Sequence, residues 1–432
     1  MTCNNPGCKA CQKTSKYILD GKLTKEEFQN CGYVVDFVDW LVSKNICNTS
    51  LNGHMKPLHE WACEFIHPAK GHNWCKDFEI IVEIKNNLVC AMQAGNKQAG
   101  DELETLRQCL HILNWGFFYD NNKKASKDLK KKGYENYQDA IDKIHHIQIQ
   151  NLDLCDNNQQ IPFEWSMIPG TDGQKKLVEI LIRLASGQTI ENTKESLVET
   201  LKNMNEDIGS LLSGNVIISK IINNYTPNNN HKNNYTPNRY LAQYYDDDKN
   251  KTIYYNPYYM NSAITKIFAF LNCDGFIIYD SRVGASLGEL IWIWANEHFE
   301  NPKEKIPTIM RFYIPGDMTE NNRQPIGHIY NVSIKDTYKE HYIANIKASW
   351  LVEMIRKRVF GTFYLPCDCE AVDEICCLGD ANSGCDCQNS TPASASSYKK
   401  CKDVKFHQYI QTRAIESAFF VLGKDIEKLK VC

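Results

Sequence analysis

The sequence predicts a mostly α-helical protein, because apolar residues recur at helical spacing in both halves of the chain. In the first half this pattern extends through residues 16–150, with clear stripes at Phe28–Val42 and Leu103–Leu113. In the second half it returns at Ile343–Ile355 and at Ile410–Ile426. Each stripe places its apolar side chains on one face of a helix, where they can form a core.

Shorter patterns predict the remaining elements. Trp61–Ile66, Leu177–Leu184 and Leu197–Leu212 indicate further helices, whereas Phe78–Ile84 and Leu88–Met92 fit helix and strand alike.

Two other stretches predict irregular structure. The stretch 223–251 is low in complexity and repeats Y-T-P-N, so we expect a mobile loop there. Its tyrosines are suited to stacking on nucleic-acid bases, although loops rich in tyrosine also occur without a ligand. The run Ile306–Pro315 lies between prolines and is expected to be extended or irregular.

The composition bounds the class of protein. A chain of 432 residues with 43% hydrophobic residues fits a globular protein of two or three domains, and a net charge of −3 argues against strong nonspecific nucleic-acid binding. The N-terminus lacks the apolar core of a secretory leader, and no apolar run reaches the roughly 18 residues of a membrane span. We therefore expect a cytoplasmic protein with no membrane partner. In that reducing compartment the 19 cysteines should be thiols or metal ligands rather than disulfides.

The candidate catalytic residues are Lys266 and Asp280, which lie on either side of a predicted turn. The apolar residues of Ile264–Leu271 form one helical stripe, so Lys266 leaves that helix on another face. Gly275 permits a sharp turn, and Phe276–Tyr279 is an apolar run that should be buried. A second amphipathic helix follows directly.

Asp280 occupies the position of an N-cap at the start of this second helix. Its carboxylate can accept the backbone N–H of Arg282 or Val283, and its negative charge complements the positive end of the helix. A solvent-facing lysine and a capping aspartate would explain both residues without any chemistry. A lysine amine in a dry pocket can also attack the C1′ atom of a nucleotide sugar, while a nearby ionised aspartate stabilises positive charge on that sugar. Burial matters because an unperturbed lysine amine is neutral in only about one molecule in a thousand at neutral pH.

The order helix, lysine, turn, apolar run, aspartate, helix resembles the helix-hairpin-helix DNA glycosylases, in particular the 8-oxoguanine glycosylase branch. The resemblance extends to T-K-I-F-A-F, I-Y-D-S-R-V, H-Y-I-A-N-I-K-A-S-W-L and R-A-I-E-S-A-F-F, which are similar to segments of uncharacterised bacterial proteins with an 8-oxoguanine-glycosylase-like fold. Some of those proteins are associated with antiphage signalling systems. The resemblance implies that Lys266 is the nucleophile, that Asp280 is the catalytic aspartate and that the partner is DNA.

The resemblance also implies a domain organisation and a function. We expect an N-terminal helical accessory domain at 1–155, a glycosylase-like helical domain at 156–432, and a cysteine-rich insert at 364–401. The implied function is a DNA glycosylase, with or without lyase activity on abasic sites, in DNA repair or antiviral defence. Arg282 replaces the family's usual histidine and could contact a phosphate or a base edge, or pair with a carboxylate. Because the family's hairpin motif L-P-G-V-G is not visible before Lys266, the alternative is a non-catalytic nucleotide- or protein-binding module of an antiphage defence complex.

The cysteine-rich insert suggests a structural metal site. Its six thiols fall within 21 residues, and thiolate ligands on zinc can fold a segment that has no hydrophobic core. Disulfides, an iron–sulfur cluster and reduced thiols remain open alternatives. The candidate ligands are Cys367, Cys369, Cys376, Cys377, Cys385 and Cys387.

A second metal site is suggested in the N-terminal region. Cys8 and Cys11 form a C-x-x-C pair, and Cys63 and His67 are four residues apart, which places them on one helix face. The alternative is separate buried thiols and ordinary histidines. We expect structural zinc and no organic cofactor.

Metal analysis of the purified protein tests both sites. We expect zinc to be bound in a whole-number ratio to the chain, because a closed thiolate set holds zinc tightly. A content below about 0.3 zinc or iron per chain would contradict a metal at either site.

Overall fold

The computed structural model confirms a mostly α-helical fold. It describes residues 15–49, 54–66, 74–93, 99–118, 181, 197–225, 242–246, 251–255, 260, 262–302, 306–314, 337–361 and 404–432. The helices of the N-terminal part are α1 Ser15–Leu19, α2 Lys25–Gln29, α3 Gly32–Ser43, α4 Leu58–Ile66, α5 Trp74–Gln93 and α6 Ala99–Phe118.

Helix α5 resolves the ambiguity between helix and strand in this part of the chain. The two apolar runs at Phe78–Ile84 and Leu88–Met92 belong to one continuous helix. Its buried apolar residues include Ile81, Leu88 and Met92, which are spaced by seven and by four residues and therefore share one helix face.

The later part of the chain contributes six further helices among the described residues. They are α7 Leu197–Ser213, α8 Ile218–Tyr225, α9 Ser262–Leu271, α10 Ser281–His298, α11 Thr337–Phe360 and α12 Val404–Leu422. Of the helix predicted at Leu177–Leu184 only Leu181 is described, and it is helical and buried. The segment 306–314 contains a short 3₁₀ turn at Thr308–Met310 and is otherwise irregular, as the flanking prolines predicted.

A β-hairpin corrects part of the loop prediction for 223–251. Strands β3 Ala242–Asp246 and β4 Lys251–Tyr255 pair in antiparallel register, with Tyr244 opposite Ile253. The strands are rich in tyrosine, isoleucine and threonine, residue types that favour extended backbone. Composition alone obscured this preference because asparagine and lysine surround it.

A small sheet joins the two ends of the described chain. Strand β1 Asn45–Asn48 lies between β2 Lys56–Pro57 and β5 Leu429–Val431, and both pairings are antiparallel. Asn48 strengthens the link, because its buried side chain donates hydrogen bonds of 2.9 Å to the carbonyls of Leu422 and Asp425.

One hydrophobic core contains residues from both predicted domains. The ring of Phe28 packs at 5.8 Å from Trp350, and the ring of Phe37 packs at 5.8 Å from Trp294. The buried ammonium of Lys85 donates to the carbonyls of Phe270 at 2.6 Å and Leu271 at 3.4 Å, at the C-terminal end of α9. A cation there complements the negative end of the helix. The predicted boundary at 155 stays a prediction.

The end of α12 approaches the start of α10 so closely that only glycine fits at residue 423. A Cβ atom at Gly423 would lie 2.0 Å from the carbonyl oxygen of Arg282. The oxygen belongs to the backbone and the Cβ atom is attached directly to it, so neither can rotate away as the end of a long side chain can. The contact therefore fixes how the last turn of α12 rests on the first turn of α10.

We predict that Gly423→Ala lowers the free energy of unfolding by about 2 kcal/mol or more, because backbone must move to relieve the overlap. Urea unfolding followed by circular dichroism measures this difference. The matched control is Gly209→Ala within α7, where the new Cβ would lie 3.2 Å from the Asp274 carboxylate. That side chain is exposed and can move, and alanine favours a helix over glycine by about 1 kcal/mol. Equal destabilisation by the two substitutions would contradict the steric explanation.

Candidate functional site

Helix α9 holds Lys266 at the edge of the core. Eight of its ten residues are buried, but the Lys266 side chain is only partly buried. Its Nζ donates a 2.9 Å hydrogen bond to the carbonyl of Ser262, one turn earlier. The amine therefore stays close to its own helix, on the face that the apolar spacing predicted.

The turn after α9 has the conformation that the sequence predicted. Gly275 has a φ of +99°, which a residue with a Cβ adopts only with strain. The side chain of Asn272 supports the turn, because its Oδ1 accepts the N–H of Asp274 at 2.9 Å and that of Phe276 at 3.4 Å. Its Nδ2 donates to Asn205 of α7 at 3.2 Å.

The run Phe276–Tyr279 is buried and belongs to neither a helix nor a sheet. Its amides are instead bonded to side chains from three helices. The N–H of Ile277 donates to Ser349 Oγ of α11 at 3.2 Å, and that of Ile278 donates to Glu416 Oε2 of α12 at 2.6 Å. The N–H of Tyr279 donates to Thr265 Oγ1 of α9 at 3.3 Å.

Two carbonyls of the same run are also bonded to side chains. Arg413 Nη2 donates to the carbonyl of Phe276, and His341 Nε2 lies 2.7 Å from the carbonyl of Tyr279. A carbonyl can only accept, so Nε2 of His341 carries the proton. Polar side chains thus bond backbone groups of the run that strand partners would bond in a sheet.

Asp280 caps α10 as predicted. Its Oδ1 accepts the N–H of Arg282 at 3.0 Å and that of Val283 at 3.1 Å. These bonds and the positive end of an 18-residue helix stabilise the carboxylate. The cap also fixes the position of the negative charge relative to α9.

Lys266 interacts electrostatically with Asp280 and Glu416. Burial lowers the pKa of the Lys266 amine below its ordinary value, while the negative charges of Asp280 and Glu416 act in the opposite direction. The three groups therefore lie within electrostatic range of one another. The sequence predicted the first two as a pair and gave no role to Glu416.

Glu416 is a buried carboxyl in contact with a buried guanidinium. Burial raises the pKa of Glu416 from its ordinary value of 4.5 to about 7, against the opposing effects of Arg413 and of the bond from Ile278. Asp280 raises this pKa further and Lys266 lowers it. The Arg413 Nη1 atom lies 2.8 Å from Glu416 Oε2. Near neutral pH the carboxyl therefore exists in both protonation states.

His341 contacts the last residue of the same run. Its ring packs edge-on against Tyr279 at 5.7 Å and tilted against Tyr313 at 5.8 Å. Burial lowers the pKa of His341 from 6.5 to about 4, and the positive charge of Lys266 acts in the same direction, while the bond to Tyr279 opposes them. The imidazole is therefore neutral at physiological pH.

A fully buried lysine, Lys347, lies further along α11. Burial lowers the pKa of Lys347 from 10.5 to about 7. Its Nζ donates to the carbonyl of Arg311 at 2.6 Å and lies 4.4 Å from the centre of the Phe312 ring. Lys347 thereby links the irregular segment 306–314 to α11, and this structural role is enough to explain its burial.

Arg282, the predicted contact residue, has a packing role as well. The guanidinium of Arg282 lies 4.6 Å from the centre of the Phe420 ring, a distance typical of a cation–π contact. Trp294 and Phe268 are core residues, and Trp292 is partly buried. Packing therefore accounts for the two buried aromatics that could otherwise have been assigned to a base pocket.

Most of the predicted metal ligands lie outside the described residues, as does the whole insert 364–401. They are Cys8, Cys11, His67, Cys367, Cys369, Cys376, Cys377, Cys385 and Cys387. Cys63 is described and is a partly buried thiol on α4. Across the described ranges, no group of three or more His, Cys, Asp or Glu side chains is arranged to hold a metal. The zinc sites stay predictions.

One cysteine departs from the expectation of reduced thiols. Cys273, which follows α9, is disulfide-bonded. Its partner is none of the six described thiols, Cys31, Cys47, Cys63, Cys90, Cys109 and Cys432.

Glu416, His341 and Lys347 were missed because sequence spacing does not reveal their partners. One signal was available: each lies among buried apolar residues of α11 or α12, as in R-A-I-E-S-A-F-F and H-Y-I-A-N-I-K-A-S-W-L. An ionisable residue on a helix face that must be buried requires a partner, or a shifted pKa. The pattern therefore identifies such residues but not the atoms they contact.

Comparison with family models, curated proteins and solved structures gives no match for this chain. The resemblance to DNA glycosylases accordingly stays a prediction. Within the described part of the chain, no helix combines the length and apolarity needed to cross a membrane.

The depressed pKa of His341 predicts a specific loss of stability in acid. A base with a lowered folded-state pKa stabilises the fold above its unfolded pKa of 6.5 and loses that contribution as the pH falls through about 4. We expect His341→Gln, whose amide can still donate to Tyr279, to remove about 3 kcal/mol of the stability difference between pH 7 and pH 4.

Urea unfolding at the two pH values measures this difference, and His59→Gln is the control because His59 is exposed. An unchanged pH dependence in His341→Gln would show that the imidazole is not buried in its neutral form.

Proposed function

We propose that the chain is a DNA glycosylase with a helix-hairpin-helix glycosylase-like core, in which Lys266 is the nucleophile and Asp280 stabilises the reacting sugar. The observation that carries the proposal is the environment of the Lys266 amine. Its pKa is lowered by burial, and the Asp280 carboxylate lies within electrostatic range on the N-terminus of α10. Activation of a lysine nucleophile requires this kind of desolvation.

The reaction follows from these two groups. The neutral Lys266 amine forms a bond to C1′ of the sugar, and the bond from C1′ to the base breaks with its electron pair leaving on the base. The base gains a proton, and the attacking nitrogen loses one. The nitrogen lone pair then forms a C=N bond as the bond from C1′ to the ring oxygen opens, and that oxygen is protonated. Water hydrolyses the Schiff base and restores the amine.

Asp280 acts on the charge that develops during the first step. As C1′ loses the base, positive charge accumulates on the sugar, and a carboxylate held by two backbone amides stabilises it without rearranging. Arg282 lies two residues further into α10 and is the proposed contact to a phosphate or a base edge. DNA is the proposed partner, in repair or antiphage defence, and structural zinc outside the site is the proposed metal.

The second candidate is a non-catalytic nucleotide- or protein-binding module of a defence complex. One observation favours it: both candidate catalytic groups already have structural roles. The Lys266 Nζ is bonded to Ser262, and Asp280 Oδ1 accepts two amides of α10. A lysine and an aspartate with those roles are compatible with a fold used only for binding.

Borohydride trapping separates the two candidates. We expect the full chain to form a covalent adduct with DNA that carries 8-oxoguanine or an abasic site, because borohydride reduces a Schiff base to a stable amine. Lys266→Ala should abolish the adduct. Denaturing gels detect the adduct, and mass spectrometry of the digest locates the modified lysine.

The control variants distinguish catalysis from folding. Lys220→Ala removes an exposed lysine of α8 and should leave the adduct unchanged. Asp280→Asn should slow adduct formation at least about tenfold, because asparagine still caps a helix but lacks the charge. No adduct with the wild-type chain, or an adduct that survives Lys266→Ala, would sink the nucleophile proposal and favour the binding module. Lys347 would be the first residue to examine in a surviving adduct.

A further inference from the structure

Glu416 contacts both the buried run Phe276–Tyr279 and Arg413. It is 5% exposed and comes from α12, about 150 residues beyond Lys266. Its Oε2 atom receives the N–H of Ile278 at 2.6 Å and lies 2.8 Å from Arg413 Nη1. The carboxyl is therefore fixed by a backbone amide from one side and a guanidinium from the other.

The backbone segment that Glu416 bonds at Ile278 is connected to both candidate catalytic residues. Ile278 is followed by Tyr279, whose N–H is bonded to Thr265, the neighbour of Lys266 on α9. Asp280 comes next and caps α10. One carboxyl thus restrains the short connection that sets the distance between the lysine and the aspartate.

We infer that Glu416 is a positioning residue of this site, which holds the Ile278–Asp280 backbone in place and controls the protonation of the Lys266 amine through its own charge. Its meaning for catalysis rests on the proposed glycosylase function. The electrostatic coupling itself needs no DNA, and it can be measured in the chain alone.

The other ionisable groups nearest to Glu416 do not change charge at neutral pH. Arginine side chains stay protonated in proteins, and Arg413 lies on the same helix as Glu416. His341 of α11 is neutral above a pKa of about 4. Burial raises the pKa of Tyr409, two turns earlier on α12, and its ring lies 4.8 Å from the Lys85 ammonium of α5.

The charged groups on the remaining neighbouring helices are engaged elsewhere. Arg356 of α11 donates to Gln411 of α12 at 3.1 Å, and Glu289 of α10 is buried. Arg282 stacks on Phe420, and Glu64 of α4 pairs with Lys56.

Lys347 also titrates near pH 7, through burial alone. Two carboxyl groups, Asp280 and Glu416, raise the pKa of Lys266 by their charge, and burial raises the pKa of Glu416 to about 7.

The coupling has a definite direction. Above pH 7 the ionised Glu416 stabilises the Lys266 ammonium and so opposes formation of the neutral amine. Below pH 7 the carboxyl is protonated, and this stabilisation disappears. The ionisation of the lysine therefore depends on the state of the carboxyl, and the two groups titrate as a coupled pair.

The test is a titration of the Lys266 side chain by nuclear magnetic resonance. Protein labelled with ¹³C at lysine Cε reports the charge of each amine, and the Lys266→Arg variant assigns the signal. In the wild-type chain we expect the Lys266 signal to show a second inflection near pH 7, where Glu416 titrates. Glu416→Gln retains an acceptor for Ile278 but lacks the charge, so the inflection should vanish and the main midpoint should move to lower pH.

Glu353→Gln is the matched control, because Glu353 is a partly buried carboxylate of α11 that pairs with Lys25 and Lys357 instead. It should leave the Lys266 titration unchanged. A wild-type signal without an inflection near pH 7 would overturn the inference, and this measurement needs no Glu416 variant to fold. An equal midpoint shift in Glu353→Gln, or no shift in Glu416→Gln, would overturn it too.

Borohydride trapping with the same variants separates this inference from the proposed function. If Glu416→Gln moves the acid limb of adduct formation to lower pH, both stand. If the resonance shift occurs and no variant forms an adduct, the coupling holds and the glycosylase proposal fails. If the wild-type chain forms an adduct and Glu416→Gln changes neither its pH profile nor the Lys266 titration, the function stands and Glu416 has only a structural role.

Discussion

The structure depends on how the buried backbone of Phe276–Tyr279 makes its hydrogen bonds. A buried run in the core cannot leave its amides unbonded, because each orphaned group costs about 1–3 kcal/mol. No strand pairs with this run among the described residues, so side chains of Thr265, Ser349 and Glu416 supply the acceptors. These three residues come from three helices, and the run therefore determines how α9, α11 and α12 are placed around it.

The same constraint explains why perturbed ionisable groups gather here. Ser349 and Thr265 bond the buried backbone through neutral hydroxyls. Other bonds to this backbone come from Glu416, Arg413 and His341, which are titratable or charged. Burial raises the pKa of Glu416 and lowers that of His341, and the negative charge of Glu416 acts on the Lys266 amine. Charged side chains that bond a buried backbone are themselves buried, and the pKa values of ionisable groups at such a site are shifted as a consequence. Structural and catalytic explanations of Lys266 therefore share one physical origin.

Local sequence patterns predicted the features that depend on neighbouring residues, namely helices, a turn and a helix cap. The helices follow from apolar spacing, Gly275 from its freedom to adopt a positive φ, and the Asp280 cap from its place before Arg282 and Val283. The partners of the buried run could not be predicted in this way. Glu416 reaches Ile278 across 138 residues and His341 reaches Tyr279 across 62, and no periodicity connects such distant positions.

Composition misled the prediction in the hairpin. Asparagine is the commonest residue of the stretch 223–251, yet the short tyrosine-rich segments Ala242–Asp246 and Lys251–Tyr255 pair as strands. Residue content averages over a window, whereas strand pairing depends on a few adjacent residues. The cysteine patterns indicate ligand types but contain no geometry that would choose between zinc and disulfides.

The pairing of β1 with β5 has a consequence for synthesis on the ribosome. Strand β1 is made early, but the pairs Ile46 to Val431 and Asn48 to Leu429 require residues that emerge nearly 400 residues later. At about 5–20 residues per second, β1 waits on the order of half a minute with an unpaired edge. During that interval the N-terminal helices can form locally, while the edge is open to other chains. Strand β5 can therefore complete this sheet only after the intervening residues have been made.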